Sequence, residues 1–343
     1  SLYGLYRELG IIPAVRFVEL KTYGSFLDEA RGIRVQVTQD LERLANDLKA
    51  LSPADARIVD ELIAGARAFQ GSDMSSVGLS MPPELAGPLD SLRLLWTMRG
   101  QVRYMMGRYG TYVAEDARRV QSPWLRTFLE NLFMLDARVY FVMMLLALLA
   151  DGQLGLIEAG SLDLVRAVER RFKELGGQVT YRARVEEILV QTNSERDGSQ
   201  DRACGVRLAD GSRHHAAAVV SAADGYSTIF KMLGGRYADA TIRKRYETWP
   251  RFRPLIMVSC GVAREFLEDP PFCTILLEHP LTVARQQVEG IFVRIFNYSQ
   301  RFAPPGKTVV QVGMETEWEY WDELQREDRA GYEKEKRRIA LDL

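Results

Sequence analysis

Few side chains in this sequence have the types and spacings that covalent or metal chemistry needs. Three cysteines, Cys204, Cys260 and Cys273, lie far apart with no Cys-x-x-Cys spacing. They suggest neither a disulfide framework nor a zinc site, and they fit a reducing compartment. Imidazole comes only from His214, His215 and His279. An adjacent pair suits neither two ligands on one helix face nor a nucleophile with its base, so no metal site is expected. His279 stands beside Pro280 at a strand end, where a general acid or base and a purely structural residue are the competing readings. Gly155, Gly160 and Ser161 have the outer spacing of a phosphate-binding loop. The lysine such a loop requires is missing and Glu158 would repel a phosphate, so that reading is rejected. Nowhere does a Gly-x-Gly-x-x-Gly follow a strand, so this sequence lacks the turn that sets a dinucleotide pyrophosphate on a helix N-terminus. What remains is apolar. Phe141, Met143 and Met144 could line a tunnel for an apolar substrate, since methionine adapts to irregular hydrocarbon shapes; ordinary core packing is the competing reading.

At 343 residues the chain exceeds the usual size of one hydrophobic core, which predicts two intimately packed domains. With 45 basic and 46 acidic residues the formal charge is -1, so nothing in the whole chain argues for a nucleic-acid partner. The most apolar run, Val139–Ala150, is about half of the roughly 20 residues a membrane span needs and predicts a buried helix. Residues 89–109 mix Leu, Met and Trp with Arg93, Arg99, Arg103 and Arg108. Such a helix either lies in a membrane interface or packs internally with its arginines reaching the surface. No secretory signal opens the sequence, and a cytoplasmic location with optional peripheral membrane contact is expected. The first residue is Ser1 and the last residues continue a helical pattern, so the chain reads as an internal piece of a longer protein.

The elements that would position any site fall into blocks. Leu2, Leu5, Tyr6 and Leu9 have helical spacing and stop at Gly10. Strand-sized runs at 16–20, 25–29 and 33–37 predict a small meander, after which Thr38 caps a helix whose Leu41, Leu44, Ala45 and Leu48 share a face. From 52 to 151 the pattern is helical, broken by prolines. A helix opening at Gly160-Ser161 carries Leu162, Val165, Val168 and Phe172 and ends at Gly176-Gly177. Strands are predicted at 179–181, 185–191 and 203–208, the last two joined as a hairpin. The apolar run 216–222 predicts a strand covered on both faces, hence an α/β layer. Runs at 255–262, 272–278, 291–298 and 308–314 are too closely spaced for crossover helices and predict a mainly antiparallel sheet, followed by a helix from about Trp318.

Between Gly155 and Gly234 the order "GLIEAGSLDLVRAVERRFKELGGQVTYRARVEEILV", then "ACGVRLADGSRHHAAAVVSAAD", resembles the phytoene desaturase, carotenoid isomerase and retinol saturase family of FAD-dependent oxidoreductases, within the flavin amine oxidase-like superfamily. Members similarly show a glycine-containing loop, a helix ending near Gly-Gly, a strand leading to Val-x-x-Ile, a Gly-Val-x-Leu-x-Asp-Gly hairpin and an apolar strand ending near Asn or Asp. "PGKTVVQVGMETEWEYWDEL" resembles the family's last substrate-domain strand and helix.

The resemblance implies a fold of α/β plus α+β class: a partial FAD-binding Rossmann-like domain with an inserted substrate domain of helices packed on a mainly antiparallel sheet. Residues 1–37 would begin the substrate domain or link the domains, and 38–151 would form its helical part. Residues 152–235 would return to the FAD-binding domain, and 236–343 would supply the sheet and helix of the substrate domain. It places Val185 at the adenine edge of FAD, Ala222, Ala223 and Asp224 at the strand end that approaches the cofactor, and Gly160 in a loop retaining one glycine of the family's Pro-x-Gly-Gly. Asp224 as a helix cap is the competing reading. The implied activity is desaturation, saturation or isomerisation of a polyprenoid, carotenoid or retinoid-like lipid by hydride exchange with FAD. A non-catalytic prenyl-binding protein of the GDP-dissociation-inhibitor type and a flavin amine oxidase are the alternatives.

Overall fold

The structure, a computed structural model, describes residues 2–72, 87, 89, 92, 96, 98–133, 137–192, 201–249 and 253–343. The chain forms two compact units, Ser1–Phe172 with Arg253–Leu343, and Lys173–Phe252.

The first unit is built on a six-stranded sheet of order β3-β2-β9-β10-β11-β8. Its strands are β2 (Thr22–Asp28), β3 (Ile33–Thr38), β8 (Leu255–Val262), β9 (Phe272–Val283), β10 (Gln286–Ile295) and β11 (Thr308–Glu315). All neighbours are antiparallel except β2 and β9, which run parallel. Two further strands, β1 (Phe17–Glu19) and β4 (Gly155–Ile157), pair with each other outside this sheet. The expected meander is therefore replaced by a β2–β3 hairpin, with the first strand diverted to β4. A parallel neighbour far along the chain cannot be read from local spacing.

One face of the sheet carries the helical block. Helix α1 (Leu2–Glu8) precedes the strands; α2 (Leu41–Leu51), α3 (Ala56–Phe69), α4 (Arg99–Met105), α5 (Val113–Asp116), α6 (Pro123–Glu130) and α7 (Val139–Ala150) follow. Helix α2 buries Leu41, Leu44, Ala45 and Leu48, the face its spacing predicts. Its cap is Asp40 rather than Thr38: the Asp40 carboxylate accepts from the backbone N–H groups of Glu42 and Arg43, whereas the Thr38 hydroxyl donates to the Asp40 carbonyl. Helix α7 is apolar all round and buries Val142, Met143, Leu146 and Leu149, as a helix enclosed by its neighbours must. Each such side chain contributes roughly 1.5–3 kcal/mol on leaving water. The sheet joins this core through Phe26, whose ring meets the edges of Trp124 at 6.0 Å and Phe128 at 5.3 Å.

The other face of the sheet is covered at the far end of the chain by α10 (Trp318–Glu327) and α11 (Arg329–Asp342), where Ile339 packs with Val283, Ile291 and Met314. Between the two halves of the unit's sequence, α8 (Ser161–Glu174) buries Ala167 against Ile11 and Val15. Its expected apolar face is largely open: Leu162, Val165 and Phe172 are exposed. Of the segment 89–109, read as a candidate interfacial helix, residues 90, 91, 93–95 and 97 lie outside the described residues, and α4 forms within the rest.

The second unit contains a three-stranded sheet, β5 (Val185–Gln191), β6 (Arg202–Leu208) and β7 (Arg213–His215), all antiparallel. Close approach of β6 and β7 requires Gly205, because an added Cβ would lie 2.9 Å from the Cα of His215. A π-helical turn, Ser227–Met232, and α9 (Ala240–Thr248) follow, tied by Tyr226, Phe230 and Tyr246, whose ring centroids are 5.0–5.9 Å apart. Two expected strands are not formed. Residues 179–181 are irregular, and 216–222 form no strand and are exposed apart from the half-buried Val219, with Val220 93% accessible. A strand meant to be covered on both faces needs flanking strands for its backbone, and among the described residues none pairs with 217–222, the ladder with β6 ending at the Ala216 N–H to Cys204 carbonyl bond. The chain is thus a mixed α/β protein whose larger sheet is mainly antiparallel and packed with helices.

Candidate functional site

Register places side chains from distant strands in rows on the helix-bearing face of the six-stranded sheet. Phe26, Thr274, Phe292, Gly313 and Met257 are successive cross-strand partners. The next row is Phe272, Arg294, Gln311 and Ser259. Because side chains alternate along a strand, both rows share one face. The helical block covers the β2–β9 end of these rows, through Phe26 and Phe272. Towards β8 the cover stops, leaving Leu255 at 55%, Met257 at 56% and Phe292 at 37% exposure.

Where cover stops there is a cleft of ≈ 270 Å³, floored by these strands and walled by Asn131, Leu132 and Phe133 after α6. Tyr23 stacks on Phe272 at 5.2 Å and meets the edge of Phe133 at 4.9 Å, so three aromatic rings form one wall. Gly24 lets β2 approach β9: a Cβ there would lie 2.7 Å from the Phe272 carbonyl oxygen. The lining is mainly apolar, and among the described residues it includes no Asp or Glu; its one charged side chain is Arg294.

Two titratable groups on the wall are set against ionising. Burial pushes the Tyr23 phenol above its ordinary value. Burial likewise pushes the Cys273 thiol up, outweighing the Ser25 hydroxyl at 3.1 Å and the positive charge of Arg34. The cleft therefore presents neutral groups at physiological pH, apart from the guanidinium.

The residues singled out from sequence lie elsewhere. Met143 is fully buried in the helical core, and Phe141 and Met144 pack partly buried around it; none of the three lines the cleft. Gly160 adopts φ +81 at the start of α8, with Phe302 nearby, and the acidic Glu158 and Asp163 flank it. That turn does not suit a pyrophosphate, and the described residues contain no Gly-x-Gly-x-x-Gly turn that would. In the second unit Val185 pairs with Leu208 at the start of β5, half-buried, while Ala222, Ala223 and Asp224 are exposed. The Asp224 carboxylate accepts the Ser227 backbone N–H at 2.8 Å, so it caps the π-helical turn, and that bond holds its pKa below the usual range. His279 is exposed on β9, and His214 and His215 on β7. No cluster among the described residues could hold a metal ion.

Sequence reasoning missed Tyr23, Phe292, Arg294 and Met257. The usable signal was alternation within 255–262 and 291–298, where Leu255, Met257 and Phe292 fall on one face and Ile256 and Ile291 on the other.

The flavin containing amine oxidoreductase family matches residues 17–334. The chain belongs to this family of flavin-dependent oxidoreductases. Among solved structures it is similar to the PF1083 protein from Pyrococcus furiosus, at 16% identity and a TM-score of 0.46, covering 95% of this chain and 68% of that one. It is also similar to RAB GDI from Plasmodium falciparum, at 10% identity and a TM-score of 0.43, covering 95% of this chain and 66% of that one. The chain thus spans about two thirds of each. None of the curated proteins compared with the chain matches it. No helix among the described residues is long and apolar enough to cross a membrane.

Proposed function

We propose that this chain carries the substrate chamber of an FAD-dependent oxidoreductase that desaturates, saturates or isomerises an apolar, polyprenoid or carotenoid-like lipid. The observation that carries this reading is the cleft itself: an aromatic and aliphatic floor of ≈ 270 Å³ with no acidic group among its described lining residues. Hydride chemistry is what the family's flavin supplies when bound. The chain's own residues hold a hydrocarbon body against the sheet and exclude water.

The same observation weighs against an amine as substrate, the reading that the family's description would suggest first. A protonated amine would need a carboxylate or an unopposed aromatic cage, and here Arg294 faces it instead. In chain order, residues 38–151 and 236–343 are the substrate domain on this proposal, 1–37 lead into it, and 152–235 belong to the flavin domain. Val185, Ala222, Ala223, Asp224 and Gly160 are proposed as cofactor contacts of that segment.

The test is to purify the full-length protein with added FAD and record its absorbance and its affinity for a fluorescent polyene. Retained flavin with polyene binding is the expected outcome. Polyene binding without flavin would favour a non-catalytic lipid carrier, and flavin with reduction by amines would sink the lipid reading.

A further inference from the structure

We propose that Arg294 anchors a carboxylate, so that the molecule taken by the cleft is an amphipathic acid, with its apolar body on the aromatic floor and its anionic end at the guanidinium. The proposal deepens, and rests on, the reading of the cleft as a lipid chamber.

Arg294 lines the cleft from β10, and its guanidinium lies over two rings, Phe272 at 5.5 Å and Phe296 at 4.6 Å. Among the described residues its hydrogen bonding is incomplete. One terminal nitrogen donates to the Tyr298 hydroxyl at 3.3 Å, while Nε is buried with no partner. Nor does Arg294 meet a carboxylate among the described residues, in contrast to Arg31 with Asp28, Arg108 with Glu61 and Arg338 with Glu335. A positive charge held between aromatic rings, beside an apolar cleft that offers it no counter-ion, is complementary to an anion brought by a ligand.

The planar fork of a guanidinium matches a carboxylate, which accepts two parallel N–H bonds. A phosphate monoester carries nearly two negative charges and is ordinarily met by more than one cation. The cleft's described lining supplies Arg294 alone, with the neutral amides of Gln311 and Asn131. A single carboxylate is therefore the better match.

The experiment is a fluorescence titration of the full-length protein, at neutral pH, with a tetraene fatty acid (parinaric acid), its methyl ester and a chain-matched alkyl phosphate as competitor. The wild-type protein is expected to bind the acid about tenfold or more tightly than the ester, the scale of one charge-assisted hydrogen bond. Arg294→Met is expected to bring the acid down to the ester's affinity, and Arg294→Lys to retain part of the preference. Equal binding of acid and ester by the wild type overturns the anchor while leaving the lipid chamber intact, and that comparison needs no variant. Tighter binding of the alkyl phosphate than of the acid overturns the choice of carboxylate. Binding of none of the three overturns the chamber and the anchor together.

Discussion

Gly65 on α3 and Met143 on α7 touch so closely that an alanine Cβ at Gly65 would collide with the Met143 sulfur and lie 2.6 Å from its Cε. Alanine at this helical position would normally gain about 1 kcal/mol over glycine. Here the overlap reverses the sign, and Gly65→Ala is expected to destabilise by about 1–2 kcal/mol. Met143→Ala empties a fully buried site and costs about 3 kcal/mol. In that background Gly65→Ala should become stabilising. Urea unfolding of the four proteins in the cycle checks this; additive effects would show that the two residues do not compete for one space.

Asp55 ties the start of α3 to the segment before α6. Its buried carboxylate accepts from the Gln121 and Ser122 backbone N–H groups, both at 2.9 Å, and from the Ser52 hydroxyl at 2.7 Å. Burial alone would raise its pKa; the Gln121, Ser52 and Ser122 bonds and the charge of Arg126 together outweigh burial and lower it. A carboxylate with a depressed folded pKa stabilises above its unfolded value and loses that contribution as pH falls through the folded one. Asp55→Ala should cost about 3 kcal/mol near pH 7, because it strands three donors. As pH falls from neutrality through and below the ordinary carboxylate range, the wild type should lose the advantage that the variant never had, which unfolding midpoints over that acid titration will show.

Tyr23 shifts the other way. Burial raises its pKa, so the neutral phenol is favoured in the folded protein. The contribution is complete below the unfolded value near 10 and fades as pH rises through the folded value. Tyr23→Phe keeps the ring on Phe272 and removes the ionisation. Its urea midpoint should therefore fall less than the wild type's between about pH 9 and about pH 11.5.

Gly313 sits in the floor of the cleft between Phe292 and Met257, outside the left-handed region, and an added Cβ would meet Phe292 at 3.6 Å, an ordinary contact. Gly313→Leu should fill the cleft without unfolding the protein. Affinity for the polyene ester should drop by about tenfold or more, with stability within about 1 kcal/mol of wild type. An unchanged affinity would place the ligand somewhere else.

The parts of the fold legible in the sequence were those written by local periodicity. The buried face of α2, the bounds of α7 and the strands β5 and β8 follow from spacing alone. What was hidden depends on partners remote in the chain. The run 216–222 has the composition of an enclosed strand, yet composition cannot supply neighbours. The cleft was hidden for the same reason: Tyr23, Phe272 and Arg294 become neighbours only through the β2–β9–β10 pairing. Met143 and Met144 stand out as an apolar pair, but a tunnel lining and a packed helix use the same letters: Met143 is a core residue that also lines a small cavity of ≈ 30 Å³, and Met144 packs partly buried beside it.

The parallel seam between β2 and β9 bears on how the polypeptide assembles as it is made. Ser25 and Cys273, joined across that seam, are separated by 248 positions. At ribosomal speeds of roughly 5–20 residues per second, the earlier strand waits on the order of tens of seconds for its mate, with one edge bare. The hairpin with β3 shields only its opposite flank. During synthesis this bare edge is where a chaperone would gain most by holding on, and where crowding nascent chains would most readily stick to one another.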